Sequence, residues 1–300
     1  MKLSMNPDEF TEGPVLLRLY LEELCCDLIR FFHVQSDGLR PEEVSVDREV
    51  ALGSPHAYAD IRVRRPQQAP YFIEVRHGFS LEKVARDLER KYAKSSKAVG
   101  EAARLIVLLR SLDGKNAEEI AKAFQPLVAS NLEVEVWDEQ RIIELLKEAF
   151  DVSITGFTGQ DLQKTRDAIA RAKWSYAFGK EHKSSRLQAS LLWRFGHWRL
   201  RSFYDTFNLA PEEVLPPQTC SRIVVVMADL CSFSSYVRDT RESAVVRQAL
   251  TSFYSNSRYA VINHGGMLDQ FVGDEVIALF GVPDNQPGYV EDALACARSL

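Results

Sequence analysis

The sequence predicts an α/β front part and an α+β rear part joined by a basic helical linker, and three observations carry that prediction. Residues up to about 150 alternate amphipathic helical stretches with short apolar runs, the rhythm of a sheet covered by helices. Residues 153–218 are polar, cationic and aromatic, and Pro211 and Pro216-Pro217 close the stretch. Cys220 then opens a segment with an apolar strand, a long helix and two short strands. At 300 residues the chain is long for one hydrophobic core, so we expect a domain at 1–152, a linker at 153–218 and a second domain at 219–300.

The elements follow in order. Residues 13–33 carry Leu16, Leu17, Tyr20, Leu21, Leu24 and Leu28 near one face of an amphipathic helix. Strands are expected at 45–52, 57–64 and 71–76, the last two separated by the turn-like Arg65-Pro-Gln-Gln-Ala-Pro. A charged helix spans about 80–97, and Leu105-Ile-Val-Leu-Leu109 reads as a buried strand. After a helix at 116–127, Leu132-Glu-Val-Glu-Val-Trp137 alternates with period two, as a half-exposed strand does. Residues 139–150 form a closing helix. The stretch 153–180 looks weakly helical, and Leu187, Leu191, Phe195 and Trp198 then mark an apolar helical stripe.

Composition narrows the function classes. Hydrophobic residues at 46% and charged residues at 26% describe an ordinary globular chain. No apolar run reaches the roughly 20 residues of a membrane helix, and the start lacks the apolar core of a secretory signal. A cytoplasmic protein with no membrane partner is expected. The five cysteines show neither zinc spacing nor a paired framework, which suits free thiols. Net charge is −5, but residues 158–205 hold ten Lys or Arg against four acids, so this stretch is +6 and the remainder −11. A basic aromatic connector suits nucleic acid, an acidic neighbouring surface, or simply a solvated helix face.

In the rear part, Arg222-Ile-Val-Val-Val-Met-Ala228 is nearly continuous apolar sequence, as in a central strand buried on both faces, and it ends in Asp229. Leu-Cys-Ser-Phe-Ser-Ser then starts a helix whose free N–H groups can hold an anion. A helix at about 241–262 stops at Gly265-Gly266, and strands Met267–Val272 and Glu275–Phe280 are joined by Gly273-Asp274. That hairpin places Asp274 close to Asp229 if its strands pair beside the first. Two carboxylates at neighbouring strand ends suit divalent ions and phosphates, because magnesium prefers hard oxygen ligands. Two such ions can activate a hydroxyl and neutralise a leaving pyrophosphate.

Val225-Val-Met-Ala-Asp229-Leu-Cys-Ser-Phe233-Ser resembles the first metal motif of class III adenylyl and guanylyl cyclases. Gly265-Gly-Met-Leu-Asp-Gln-Phe-Val-Gly273-Asp274-Glu-Val-Ile-Ala-Leu-Phe280-Gly281 resembles their second, and Glu291–Leu300 fits the helix that follows. The resemblance covers roughly 219–300. It implies a ferredoxin-like cyclase palm that converts a nucleoside triphosphate into a 3′,5′-cyclic monophosphate and pyrophosphate. It also implies two Mg2+ (or Mn2+) ions on Asp229 and Asp274, with the Leu230 carbonyl assisting, and backbone N–H groups of Cys231, Ser232, Phe233 and Ser234 on the β- and γ-phosphates. Gly273-Asp274-Glu275 is similar also to the signature of GGDEF-type diguanylate cyclases, but Val272 and Val276 depart from it.

Two departures bear on the activity. Four residues before the second metal Asp, where the family carries Lys or Glu, stands Gln270, whose amide both donates and accepts. The family's transition-state Asn and Arg and its second base-reading residue lie beyond Leu300, so the resemblance is to a truncated domain, its first half. This stretch alone should not turn over. No catalytic residue beyond the metal ligands is expected within it.

In the front part, Ala57-Tyr-Ala-Asp60-Ile-Arg-Val and Pro70-Tyr-Phe-Ile-Glu74-Val75-Arg76 resemble the PD-(D/E)xK core of restriction-endonuclease-like proteins. There an Asp and a Glu on adjacent strands bind magnesium, and a Lys two residues on aids the attacking water. Glu22 or Glu23 could be an additional acid. Arg76 stands where Lys is expected, and a guanidinium neither gives nor takes a proton near neutral pH. Lys83 or Lys91 on the next helix could compensate. Asp60, Glu74 and Arg76 are therefore expected to be a relic nuclease site, in a domain that senses a signal or binds nucleic acid. His77 reads as a polar strand-end residue.

The combined expectation is a nuclease-like sensor, a helical linker and a cyclase output domain. Class III sites form between two subunits, which implies a homodimer with the 183–205 helix as a contact. The unusual base-reading position and sensor-like front resemble the pyrimidine cyclases of Pycsar anti-phage defence, so a uridylate or cytidylate cyclase is favoured. Adenylyl cyclase, or a nucleic-acid-binding or nuclease protein with an inactive cyclase fold, is the alternative.

Overall fold

The computed structural model describes residues 14–94, 96–110, 112, 114–157, 159–179, 186–208, 210, 213–215, 222–240, 242–283 and 286–300. Pro211, Pro216-Pro217 and Cys220, expected to close the linker, lie outside the described residues, as does the side chain of Leu16. The chain divides into two compact units, Met1–Ile169 and Ala170–Leu300. The expected linker is therefore shared between them rather than standing alone.

The front unit contains α1 (Pro14–Ser36), β1 (Ser45–Ala51), β2 (Tyr58–Arg65), β3 (Gln68–Val75), α2 (Leu81–Tyr92) and α3 (Lys97–Glu101). β4 (Arg104–Leu108), α4 (Ala117–Phe124), β5 (Glu133–Trp137), α5 (Glu139–Phe150) and the start of α6 (Gly159–Phe178) follow. Its sheet runs β1-β2-β3-β4-β5, antiparallel through β3 and parallel from β3 to β5. β4 has parallel neighbours on both sides and buries Leu105 to Leu108, which explains its unbroken apolar run. Phe72, Leu105 and Val107 meet Val84, Leu88 and Tyr92 of α2 and Ile120 and Phe124 of α4 in one core.

Three local features differ from expectation. The charged helix expected at 80–97 ends at Tyr92, and the Ser96 hydroxyl, accepting from the Val99 N–H, starts the separate α3 at Lys97. The turn after Arg65 is only Pro66-Gln67, so β3 begins at Gln68. The stretch 153–180, expected to be weakly helical, contains the 20-residue α6. Asp161 organises its entry, accepting from the Thr155 N–H and hydroxyl at 3.1 Å each and from Lys164 at 2.8 Å. The Tyr20 hydroxyl of α1 donates to the Leu162 carbonyl at 3.1 Å, which ties this entry to the first helix.

The rear unit contains α7 (Arg186–Arg194), α8 (His197–Phe207), β6 (Val224–Asp229), α9 (Phe233–Asp239), α10 (Ser243–Asn263), β7 (Met267–Val272), β8 (Glu275–Phe280) and α11 (Tyr289–Ser299). Its sheet has the order β6-β8-β7 and is antiparallel throughout. The expectation that 222–228 is central and buried on both faces is corrected. β8 is the central strand, β6 lies at an edge, and Val225 and Met227 are 50% and 60% exposed on the face turned from the core. Among the described residues α7 and α8 cover that face at Met267 and Leu279 and leave Val225 and Met227 of the edge strand exposed.

The stripe after 183 also differs from a single helix. Gly196 separates α7 from α8, and Leu191, Phe195, Leu200 and Phe203 pack on Met267 and Val282 within the unit. Leu187 is exposed instead. Much of the apolar surface expected to serve a dimer contact is thus spent inside one chain. Gly266 has a packing reason: a Cβ there would come within 2.6 Å of the Phe280 ring.

Candidate functional site

Two carboxylate pairs stand out, one open and one closed. In the rear unit Asp229 ends β6 directly opposite Glu275, the first residue of β8. Val272 also pairs with Glu275, so Gly273-Asp274 forms a two-residue turn. Gly273 supplies φ 62 at its first position, the conformation a type II′ hairpin requires. The Leu230 N–H donates to the Asp274 carbonyl at 3.2 Å, which stitches the loop after Asp229 to the turn carrying Asp274. Among the described residues no ion pair reaches either carboxylate. Tyr254 of α10 donates its hydroxyl to the Gly273 carbonyl, and burial, then the negative charge of Asp274, push its pKa up.

The expected phosphate loop is only partly available. The Phe233 N–H donates to the Leu230 carbonyl at 3.2 Å, so the Phe233 N–H is spent on the turn, while the Leu230 carbonyl oxygen keeps a second lone pair. Cys231, Ser232 and Ser234 remain its candidate donors, with Cys231 exposed and Ser232 at φ 61 before the seven-residue α9. Gln270 is exposed on β7, on the strand that leads into the Asp274 turn.

The front unit brings Asp60 of β2 and Glu74 of β3 together and closes the space between them. Arg76 Nη1 lies 2.6 Å from Asp60 Oδ2, and Nη2 pairs with Glu74 Oε2, so one guanidinium bridges both acids. The Val75 N–H donates to Asp60 at 2.7 Å. Lys91 Nζ of α2 stands 2.9 and 3.1 Å from the Glu74 oxygens and 3.8 Å from Asp60 Oδ1. The Tyr92 hydroxyl donates to Glu74 at 2.5 Å. Lys83, by contrast, sits exposed over the Phe79 ring. Of the two candidate acids on α1, Glu22 is fully buried and held by Arg48 at 2.6 Å and Arg18 at 3.1 Å. Asp60, Glu74 and Arg76 are all buried, so every charge here depends on its partner.

Burial, then the charge of Asp60, push the carboxyls of both Glu22 and Glu74 up, against the pull of their cations; Glu22 rises to about 7. A carboxyl with a higher pKa in the folded chain than in the unfolded one binds its proton more tightly when folded. Its contribution to stability is therefore full below about 4.5 and is lost as pH rises through about 7. Relative to Glu22→Gln, the wild-type urea midpoint of the front unit should fall across that window on going from acid to neutral. A midpoint that rises there, abolished in Glu22→Gln, would show that the cations keep Glu22 ionised throughout. His77, buried after β3, stands 4.0 Å from Glu139, and burial lowers its pKa.

Sequence reasoning missed Tyr92, the Arg18–Glu22–Arg48 pairing and Glu275 opposite Asp229. Each depends on strand register or on a side chain reaching across from another element, for which a linear sequence carries no signal. Among the described residues no group of three or more His, Cys, Asp or Glu could hold a metal ion. No helix among them is long and apolar enough to cross a membrane. A scan against protein-family models finds no match to this chain, and a search of curated proteins finds none either.

Proposed function

We propose that the rear unit is the nucleotide-handling part of a class III-type cyclase and that the front unit is a nuclease-like fold serving as its sensor. The observation that carries the first half is the juxtaposition of Asp229 and Asp274 by the Leu230-to-Asp274 hydrogen bond, with no cation paired to either carboxylate among the described residues. Strand, helices, hairpin and helix, paired in the order β6-β8-β7, agree with the first part of a ferredoxin-like βαββαβ unit. The donor set is two carboxylates and a main-chain carbonyl, all hard oxygens, which fits magnesium with phosphate oxygens completing its shell. Bound ions would activate the ribose 3′-hydroxyl and neutralise the leaving pyrophosphate. Asp229 and Asp274 would hold them, and the Cys231–Ser234 turn would meet the phosphates. Gln270 would meet the base edge.

A pyrimidine is the favoured base. An amide presents one donor and one acceptor, and a site that hydrogen-bonds its substrate rejects analogues that leave a buried partner unpaired. In competition among ATP, GTP, CTP and UTP, the full-length protein should prefer UTP or CTP, and Gln270→Lys should weaken that preference. A strong ATP preference, unchanged in Gln270→Ala, would remove both the pyrimidine reading and the role of this residue.

The front unit does not fit a working nuclease. The place between Asp60 and Glu74 that a metal needs is filled by the Arg76 guanidinium, with Lys91 beside it. The two cations already satisfy both acids and disfavour a divalent ion by repulsion. The purified protein should leave linear and circular DNA intact in magnesium. Cleavage that vanishes in Glu74→Ala would mean that Arg76 swings away and Lys91 takes up the catalytic position. Sensing, with nucleic acid as a candidate ligand, and assembly as a homodimer complete the proposal.

A further inference from the structure

β7 carries one residue more than its partner across a single step. Leu268 pairs with Ala278 and Gln270 with Ile277, so Asp269 is the extra residue of a β-bulge. In a strand without the extra residue, positions two apart share a face, and Gln270 would lie with the buried Leu268 on the core side. The bulge reverses this. Phe271 packs toward the core, its ring 4.4 Å from that of Tyr254, while Gln270 and Val272 stand exposed. The conformation at Asp269 thus decides which face of the sheet Gln270 occupies.

Asp269 is held from the connector. Arg194, the last residue of α7, places Nη1 2.9 Å from Asp269 Oδ1. The end of α7 is itself anchored, because Arg258 of α10 donates to the Leu192 carbonyl at 3.1 Å and to the Trp193 carbonyl at 3.0 Å. These carbonyls belong to the last turn, where a helix leaves acceptors unsatisfied. The same guanidinium lies 4.7 Å from the centre of the Trp193 ring. α7 therefore meets the sheet at a fixed point, and Arg194 reaches from that point to the bulge.

We propose that Arg194 and Asp269 are positioning residues for Gln270: their ion pair pins the bulge that turns Gln270 out of the core, so that the base-reading strand answers to the connector helix. The consequence for nucleotide choice rests on the cyclase reading; the control of the bulge does not. A shift of α7 that draws Arg194 away would free the bulge and let Gln270 leave the open face, giving the connector a route to the site that needs no contact with the nucleotide.

The test uses the full-length protein and two readouts. In Arg194→Ala and Asp269→Asn, amide hydrogen exchange should speed up severalfold at residues 268–272 and stay unchanged in β6, and the charge-swapped pair Arg194→Asp with Asp269→Arg should restore protection. In nucleotide competition both single variants should shift base preference in the same direction as Gln270→Ala. Exchange at 268–272 that matches wild type, or that rises equally across the rear unit, would overturn the proposal. So would a base preference that moves in Gln270→Ala but not in Arg194→Ala. If the wild-type protein binds no nucleotide, the cyclase reading falls, and the exchange result alone upholds or overturns the latch.

Discussion

Replacing Asp229 or Asp274 by alanine should cut nucleotide cyclisation by roughly a thousandfold or more while leaving the chain folded. On the cyclase proposal each substitution would remove a carboxylate from ions that together would supply several kcal/mol of charge stabilisation, and roughly 4 kcal/mol corresponds to a thousandfold in rate. Folding should survive because Asp229 ends β6, Asp274 lies in the turn between β7 and β8, and no ion pair binds them among the described residues. The core beneath them is built from Val226, Val276, Ala278 and Phe280, which the substitutions do not touch. Initial rates of cyclic nucleotide formation, alongside far-ultraviolet circular dichroism, check both halves. Near-normal turnover in either variant would rule out the metal assignment.

The second large effect belongs to the closed pair. Arg76→Ala should destabilise the front unit by about 3–5 kcal/mol, the usual consequence of removing one partner from a buried ion pair. Asp60 would keep only the Val75 N–H and a lysine 3.8 Å away, whereas Glu74 would keep Lys91 and Tyr92. The loss should therefore be felt mostly through Asp60. With Trp137 as reporter and the other tryptophans replaced by phenylalanine, the urea midpoint should fall by more than about 1 M, given slopes of about 1–3 kcal/mol per M. Neutralising the whole cluster together, as Asp60→Asn, Glu74→Gln, Arg76→Met and Lys91→Met, should recover much of the loss, because no charge of the cluster is then left buried without its partner. An unchanged midpoint in Arg76→Ala would show that the guanidinium is dispensable.

The β-rich elements were legible because their physical causes are local. The unbroken apolar run at 105–109 read as a buried strand, and it became the parallel β4. The same reasoning misjudged 222–228, since an apolar run does not reveal whether a sheet continues beyond it, and β6 lies at an edge. α6 was underestimated because its order comes from Asp161 and from contacts such as Tyr20 with Leu162, which are tertiary rather than periodic. At the front site the grouping of Asp60, Glu74 and Arg76 was expected from the resemblance of two strands to a PD-(D/E)xK core, yet the bridging by Arg76 depends on a rotamer. At the rear site the bulge at Asp269, which decides where Gln270 points, depends on pairing with β8 and leaves no mark in the linear pattern.

The most direct measurement is pyrophosphate release by the full-length protein supplied with each nucleoside triphosphate, with magnesium and with excess chelator. A class III-type cyclase should release pyrophosphate in a one-to-one ratio with 3′,5′-cyclic monophosphate, fastest with UTP or CTP, and only when magnesium is present. Release of inorganic phosphate instead, or no magnesium-dependent product from any of the four nucleotides, would contradict the assignment of Asp229 and Asp274 as the centre of a nucleotide cyclase.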